Sequence, residues 1–146
     1  MANVINMSKN QKINMVKDDG TLVRKVFVGI RWDKNRFSSE KEADLDVLGF
    51  LTDSNRKCGF PSDLVNHQNT QNYGTTWDWC ELSADNLDGD DSLGTTFAGE
   101  HYDEYMIIDS DKIPEEKTDF YIYYLNIHSH CFSYTALLPK IFFVVF

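Results

Sequence analysis

One acidic stretch of this chain has the residue types and spacing to bind a metal ion. The segment ADNLDGDDSLGTTFAGEHYDE, residues 84–104, carries seven carboxylates and no lysine or arginine. Residues 58–111 contain 12 acids and no lysine or arginine, whereas the rest of the chain has 11 acids and 14 of these bases. Crowded carboxylates on an ordered fold repel one another unless a cation or protons neutralise them. The stretch therefore indicates either a cation site or a disordered loop.

A second group of acidic and amide side chains lies earlier, between one predicted strand and the next. Its members are Asp33, Asn35, Glu42, Asp44 and Asp46. In a strand, Asp44 and Asp46 would share one face at a separation of about 6.5 Å, and a cation with oxygen bonds of about 2.4 Å can bridge that gap. Leu45 would face the core. Such a pair is also typical of a solvated strand edge, so the spacing alone leaves both interpretations open.

The acidic stretch does not fit the EF-hand, the best-known calcium loop. With Gly89 as its sixth residue, the loop would have Ala84 at position one and Thr95 at position twelve, where an acid and a glutamate are required. A metal loop here must instead lie between strands. The acidic groups contain no cysteine, and His101 is their only soft donor, so we expect Ca²⁺ first and Mg²⁺ second.

Other kinds of site have weaker support in the sequence. The segment IHSHC offers His128, His130 and Cys131 as zinc ligands, but its aromatic surroundings favour a structural role. The chain has no GxSxG, no glycine-rich phosphate loop and no HExxH, and we do not expect an enzyme. Trp77 and Trp79 could stack on a ligand, although alternating tryptophans more often form one face of a hydrophobic sheet.

The composition and the hydrophobic pattern predict an all-β fold. With 146 residues, 42% hydrophobic and 14% aromatic, the chain suits a single folded domain over residues 1–146. The segments KVFVGIRW, LDVLGFLT, FYIYYLNI and IFFVVF have strand-like composition, and polar turns such as HQNTQNYG separate them. We predict an antiparallel β-sandwich with long acidic loops.

Charge and targeting features narrow the partners and the compartment. A nucleic-acid partner is disfavoured because phosphate binding needs clustered lysine and arginine. The start, MANVINMSKNQKINM, has no apolar segment of a signal peptide, and no run is long enough for a membrane span. Three cysteines without CxxC spacing fit reduced thiols. We therefore expect a soluble cytoplasmic protein.

Taken in order, several segments resemble the TerD-like tellurite-resistance and chemical-stress proteins. They are MSKNQKINMVK, VFVGIRWDKN, EADLDVLGFLTDSNRK, DLVNHQN, SADNLDGDD, YDEYMIIDSDKIPEE and FYIYYLNIH, and they span residues 6–128. The resemblance implies a β-sandwich that binds calcium, usually two ions, through acidic loops. It also implies a cytoplasmic role in resistance to tellurite and other stresses, with no established catalytic activity.

The resemblance also implies a set of metal ligands. They are Asp33, Asp44 and Asp46 in one group and Asp85, Asn86, Asp103 and Glu104 in a second, with Asn69 as a further ligand. Additional candidates are Asn35, Glu42, Asp88, Asp90 and Asp91. Our leading hypothesis is a non-enzymatic calcium-binding stress-response protein, and the alternative is a calcium-dependent recognition module that bridges to an anionic lipid or a sugar.

Three departures from the family pattern affect these expectations. Glu42 stands where the family usually has aspartate, the acidic loop carries an apparent insertion between Gly89 and Asp103, and the pattern is lost after His128. The chain then stops at IFFVVF, before the usual end of the family, and this suggests a shortened domain. An apolar terminal strand without a neighbour could pair with another chain, so self-association through this strand or binding to other stress-response proteins is expected.

Overall fold

The computed structural model describes residues 3–6, 20–21, 23–32, 43–126 and 140–145, and strands make up most of its regular structure. The strands are β1 (Asn3–Asn6), β2 (Lys25–Arg31), β3 (Leu45–Asp53), β4 (Leu64–Val65), β5 (Cys80–Leu82), β6 (Thr95–Phe97), β7 (Glu100–Tyr102), β8 (Glu104–Asp109), β9 (Lys117–Asn126) and β10 (Lys140–Val145). The helix α1 covers His67–Tyr73, and a 3₁₀ turn covers Ser110–Lys112. No helix in these ranges is long and apolar enough to cross a membrane.

Two antiparallel sheets enclose the main core. One has five strands in the order β1-β10-β2-β8-β5, and the other has three in the order β4-β3-β9. The core between them joins side chains from both sheets, including Val28 of β2, Val47 of β3 and Met106 of β8. The alternation of β8, with every second residue buried from Glu104 onward, is that expected of a strand with one core face. The predicted all-β antiparallel sandwich is confirmed.

The strand β2 is buried on both of its faces. The main core covers one face, and a small hairpin covers the other. The hairpin pairs β6 with β7, and it lies within the apparent insertion of the acidic loop. The ring of Phe27 lies 4.4 Å from that of Phe97 and 5.0 Å from that of Tyr102, measured between centroids. Phe27 and Tyr102 are buried together as a second hydrophobic cluster. The insertion is therefore an ordered cover over the outer face of the five-stranded sheet.

Glycine is required at Gly94, where the chain turns into this hairpin. Its φ is +82°, a left-handed conformation that L side chains rarely adopt. A Cβ there would also collide with the backbone carbonyl of Tyr102. The hairpin and the residues that follow it consequently depend on this one position.

The expectation that the terminal strand lacks a neighbour is wrong. The strand β10 pairs with β1 on one side, where Phe142 lies opposite Asn6, and with β2 on the other, where Phe142 lies opposite Gly29. Both edges of β10 are thus occupied by strands of the same chain. Self-association through a free terminal strand has no basis in this arrangement.

The helix α1 replaces the turn predicted for HQNTQNYG. Asn66 caps its start by accepting a hydrogen bond from the Asn69 backbone N–H at 2.7 Å, as N-cap residues do. Gly74 ends it in the left-handed conformation, with φ of 59°. The caps fix where the helix begins, and they set His67 at its first position.

Candidate metal centre

Four side chains from separate parts of the sequence converge at the start of β8. We call Asp46, His67, Asp85 and Glu104 the Glu104 cluster; one ligand atom of each lies within 4.8 Å of those of the other three. Asp46 comes from β3, His67 from α1, Asp85 from the acidic loop and Glu104 from β8. The cluster therefore joins the two sheets to the helix and to the acidic loop.

Glu104 is the fixed centre of this cluster. It is fully buried, and its Oε2 accepts a hydrogen bond from the Val47 backbone N–H at 3.0 Å. Its Oε1 accepts from the Asn86 backbone N–H at 3.0 Å and lies 3.4 Å from Nε2 of His67. A buried carboxylate is tolerated only when it is hydrogen-bonded or paired. These contacts orient both oxygens of Glu104 while leaving them lone pairs for a cation.

The electrostatics of the Glu104 cluster show an excess of negative charge. Burial is the main cause that raises the pKa of Asp46 to about 6, and the neighbouring charge of Glu104 adds to it. Burial alone would lower the pKa of His67, but its 3.4 Å contact with Glu104 and the charges of the nearby carboxylates outweigh this effect and raise it. His67 is the only member of the cluster that can carry positive charge. Three carboxylates thus face one imidazole.

The residues present fit a divalent cation. Oδ1 of Asp85 is buried and has no hydrogen-bond partner, which is costly unless another group satisfies it. Three carboxylates can supply up to six oxygens, and Ca²⁺ takes six to eight oxygen ligands in a flexible arrangement. The acidic loop that carries Asp85 has glycines that allow it to adjust, as at Gly89, whose φ is +69°. The cluster is consequently a candidate metal centre.

A second group lies close by in sequence but has different neighbours. We call Asp91, His101 and Asp103 the Asp103 cluster; their ligand atoms also lie within 4.8 Å of one another. Nε2 of His101 is 3.3 Å from Oδ1 of Asp103 and 3.8 Å from Oδ1 of Asp91. Oδ2 of Asp103 accepts a hydrogen bond from the Trp32 backbone N–H at 2.8 Å. Burial raises the pKa of Asp103, although the Trp32 hydrogen bond and His101 act against it.

Comparison with known proteins places this fold and its acidic loops in a family. The family model of the TerD domain matches residues 3–131. The chain belongs to the TerD family. Two proteins of Bacillus subtilis (strain 168), general stress protein 16U and the uncharacterized protein YceE, are each 31% identical to it over 110 residues. Those residues are 75% of this chain and 51% of each relative, so the chain spans about half the length of the curated relatives it matches. No solved structure gives a significant match.

The structure regroups the ligands that the resemblance to the TerD family implies. Asp46, expected with Asp33 and Asp44, lies with Asp85 and Glu104, and the charge of Asp44 also acts on it. Asp103 was expected beside Glu104 in one group, but the two contact different backbone amides. Neighbouring side chains of an extended chain point to opposite sides, and this separates them. The regrouping therefore turns one predicted loop site into two clusters.

Asp44 occupies the position that the strand alternation predicts. It is buried, it precedes β3 on the side of Asp46, and its charge acts on Asp46. Leu45 between them belongs to the main core. Asp33, Asn35 and Glu42 lie outside the described residues, as do the zinc candidates His128, His130 and Cys131, and the predictions for all six remain untested.

Two of the three predicted amide ligands, Asn86 and Asn69, hold backbone in place. Oδ1 of Asn86 accepts hydrogen bonds from the backbone N–H groups of Gly89 at 3.0 Å and Asp90 at 3.2 Å, which curls the acidic loop around it. Nδ2 of Asn69 donates to the carbonyl of Leu64 at 2.6 Å and to that of Pro61 at 3.2 Å. These contacts give both side chains a structural role, and their binding to metal stays a prediction.

Of the remaining candidates in the acidic loop, one belongs to a cluster and two do not. Asp91 belongs to the Asp103 cluster, whereas Asp88 and Asp90 belong to neither cluster. Oδ1 of Asp90 accepts from the Ser92 backbone N–H at 2.8 Å, a local turn contact. Asp90 therefore shapes the loop from which Asp91 projects.

Sequence reasoning missed His67. It lies in the segment DLVNHQN, two residues before the predicted ligand Asn69. The available signal was an imidazole directly after the N-cap residue Asn66. That signal is weak, because only the packing of α1 beside β8 brings His67 to Glu104.

The two tryptophans considered as stacking groups serve the core. Trp79 is buried, and its ring meets Phe120 edge-on at 5.8 Å between centroids. Trp77 packs against the same core and is partly buried. A stacking role for Trp79 on a bound sugar is therefore wrong, since its ring is not accessible.

Proposed function

We propose that this chain is a non-enzymatic, calcium-binding stress-response protein of the cytoplasm and that the Glu104 cluster holds the ion. The observation that carries the proposal is the set of three carboxylates formed by Asp46, Asp85 and Glu104, whose only potential cationic partner among the described residues of the cluster is His67. Such a set is expected where a metal ion supplies the missing positive charge. Membership of the TerD family and the name of general stress protein 16U support the stress-response part.

The donor set favours Ca²⁺ over Mg²⁺. Magnesium requires near-ideal octahedral geometry at about 2.1 Å and releases its waters reluctantly. The ligand atoms of the Glu104 cluster come from β3, α1, β8 and a glycine-containing loop, and they lie within 4.8 Å of one another. An ion with a flexible coordination shell suits donors from four separate elements better.

Calcium titration tests the proposal. We expect isothermal titration to give heats of binding in the micromolar to millimolar range, and EGTA to lower the melting temperature because the ion binds only the folded state. Asp85→Asn should weaken binding at least about ten-fold, since it removes one carboxylate from a partly exposed position. The matched control is Asp111→Asn, an exposed aspartate of the 3₁₀ turn outside both clusters. Absence of both heat and a melting shift would overturn the proposal.

A second candidate function is calcium-dependent binding to an anionic lipid surface. Leu87 and Leu93 project from the acidic loop with 60% and 45% of their surface exposed, and they flank the carboxylates of that loop. Exposed large apolar side chains rimmed by polar groups often mark an interaction site. An ion bound at the loop could draw in a lipid phosphate while the two leucines enter the interface.

Cosedimentation with vesicles tests this second function. We expect binding to phosphatidylserine vesicles with Ca²⁺, and little binding with EGTA or with phosphatidylcholine alone. The double variant Leu87→Ser/Leu93→Ser should reduce the bound fraction several-fold without changing calcium affinity. Equal retention by both vesicle types, or in EGTA, would rule out a calcium bridge.

A further inference from the structure

The Asp103 cluster differs from the Glu104 cluster in its chemistry. We propose that Asp91, His101 and Asp103 form a separate site for a borderline transition-metal ion, Zn²⁺ foremost, in place of the second calcium ion that family resemblance implies. This site shares no residue with the Glu104 cluster. The proposal therefore does not depend on calcium binding at Glu104.

The distances in the Asp103 cluster suit a small tetrahedral ion. Zinc bonds of about 2.0–2.2 Å with tetrahedral angles hold neighbouring donor atoms about 3.3–3.6 Å apart. Nε2 of His101 is 3.3 Å from Oδ1 of Asp103 and 3.8 Å from Oδ1 of Asp91. The ligand oxygen of Asp91 lies within 4.8 Å of the other two donors, and Asp91 must move inward to reach that geometry. Three protein ligands and one water would complete a four-coordinate shell.

The donor types point away from calcium. One of the three donors is an imidazole nitrogen, which suits zinc and its first-row neighbours, whereas Ca²⁺ prefers oxygen. Within the described residues the cluster offers two aspartates, which cannot approach the six to eight oxygens that Ca²⁺ takes without several waters. The Glu104 cluster, with three carboxylates, is the better calcium site of the two.

Two buried atoms without hydrogen bonds face each other in this cluster. Asp103 is fully buried, and its Oδ1 has no hydrogen-bond partner, although its Oδ2 is bonded to Trp32. Nε2 of His101 is also buried and lacks a hydrogen bond. The two lie 3.3 Å apart and form an ion pair if the imidazole is protonated, but neither makes a hydrogen bond. A metal ion bound by both would satisfy the two at once.

The Asp103 cluster has a strand residue on one side and a solvent-exposed ligand on the other. His101 lies in the middle of β7, opposite Thr96 of β6, and the hairpin is anchored by the stacking of Phe97 on Phe27. The side chain of Asp91 is 79% exposed, so it can admit an ion from solvent and then close over it. A rigid donor pair with one adjustable ligand is consistent with reversible metal binding.

Metal titration of the full chain in saturating Ca²⁺ tests the proposal, because calcium then occupies the Glu104 cluster. We expect a Zn²⁺ site that His101→Gln and Asp91→Asn each weaken at least about ten-fold. With Co²⁺ as the probe, the intense visible absorption of a tetrahedral ion should appear in the unmodified chain and be lost in both variants. Asp111→Asn should leave both readouts unchanged.

Two further variants separate this site from other imidazoles. Loss of the Zn²⁺ site in His67→Gln or His130→Gln, with retention in His101→Gln and Asp91→Asn, would overturn the proposal. Unchanged Zn²⁺ affinity in His101→Gln would do so as well, and would identify the His101–Asp103 contact as an ion pair. Asp91→Asn changes an exposed side chain and should leave the fold intact. Its effect on Zn²⁺ affinity therefore tests the site even if His101→Gln lowers the melting temperature. Failure of Ca²⁺ to bind would refute the calcium proposal alone.

Discussion

The two clusters are centred on adjacent residues, Asp103 and Glu104, yet they have different environments. Glu104 lies between the two sheets, with both oxygens bonded to backbone amides and two other carboxylates near it. Asp103 has one oxygen bonded and the other facing an imidazole, beneath a hairpin and beside an exposed aspartate. Local acid density is therefore a poor guide to metal preference. The donor types and the rigidity of each donor distinguish a calcium site from a zinc site.

The largest expected effect is that of Glu104→Gln. The new amide must place its NH₂ group against a backbone N–H, of either Val47 or Asn86, because both carboxylate oxygens now accept from these groups. Leaving a buried donor unsatisfied costs about 2–4 kcal/mol of the free energy of unfolding, and calcium affinity should be lost. Urea unfolding in EGTA measures the first effect and calorimetry the second. A stability within 0.5 kcal/mol of the unmodified chain, roughly the scatter of surface substitutions, would mean that Glu104 is not the fixed centre.

Gly94→Ala should separate the two clusters functionally. The alanine Cβ collides with the Tyr102 carbonyl at a left-handed φ, and we expect a cost of about 2 kcal/mol. Distortion of the hairpin displaces His101, so zinc binding should fall while calcium binding persists. The control is Gly99→Ala, which also has a positive φ of +86° but no atom within 4 Å of its Cβ. Equal loss of both metals would mean that the hairpin supports the whole loop.

The metal-free protein should become less stable as pH rises toward neutrality. The folded-state pKa of Asp46 is about 6, above its ordinary value of 3.8, and the pKa of His67 is also raised. Both groups bind protons more tightly when folded, so their contribution is complete at acid pH and is lost as pH passes through the folded pKa. In EGTA we expect a decrease of about 1–3 kcal/mol between about pH 5 and 7.5. Saturating calcium should remove this slope, and a stability that rises with pH in EGTA would contradict the assignment.

The smallest expected effect is that of Asp103→Asn. Asparagine can keep the Trp32 hydrogen bond through its oxygen and place its NH₂ where Oδ1 now lacks a partner. The free energy of unfolding should change by less than about 1 kcal/mol, and calcium affinity should change little. Zinc binding should nevertheless be lost. A destabilisation as large as that of Glu104→Gln would remove the contrast between the two clusters.

Patterns of local sequence sufficed for the longer strands and for part of the site. Apolar and β-branched composition predicted β3, and alternation predicted β2 and the burial of Leu45 between Asp44 and Asp46, because burial on a pleated strand has a period of two residues. Contacts between distant segments were not predictable. The position of the hairpin depends on the contact of Phe97 with Phe27. The neighbours of β10 are set by its pairing with β1 and β2. The position of His67 depends on the packing of a seven-residue helix.

The indole of Trp32 gives the Asp103 cluster a built-in optical signal. Its backbone N–H binds Asp103, and its ring N–H donates to the carbonyl of Ala43 at 3.0 Å. The same ring lies against Gly89 of the acidic loop, so closely that a Cβ there would be 2.7 Å from Nε1. Any ion that shifts Asp103 or tightens the loop must therefore change the electrostatic field at this indole. Its emission and near-ultraviolet dichroism can report occupancy in the unlabelled chain, against the background of the core residues Trp77 and Trp79.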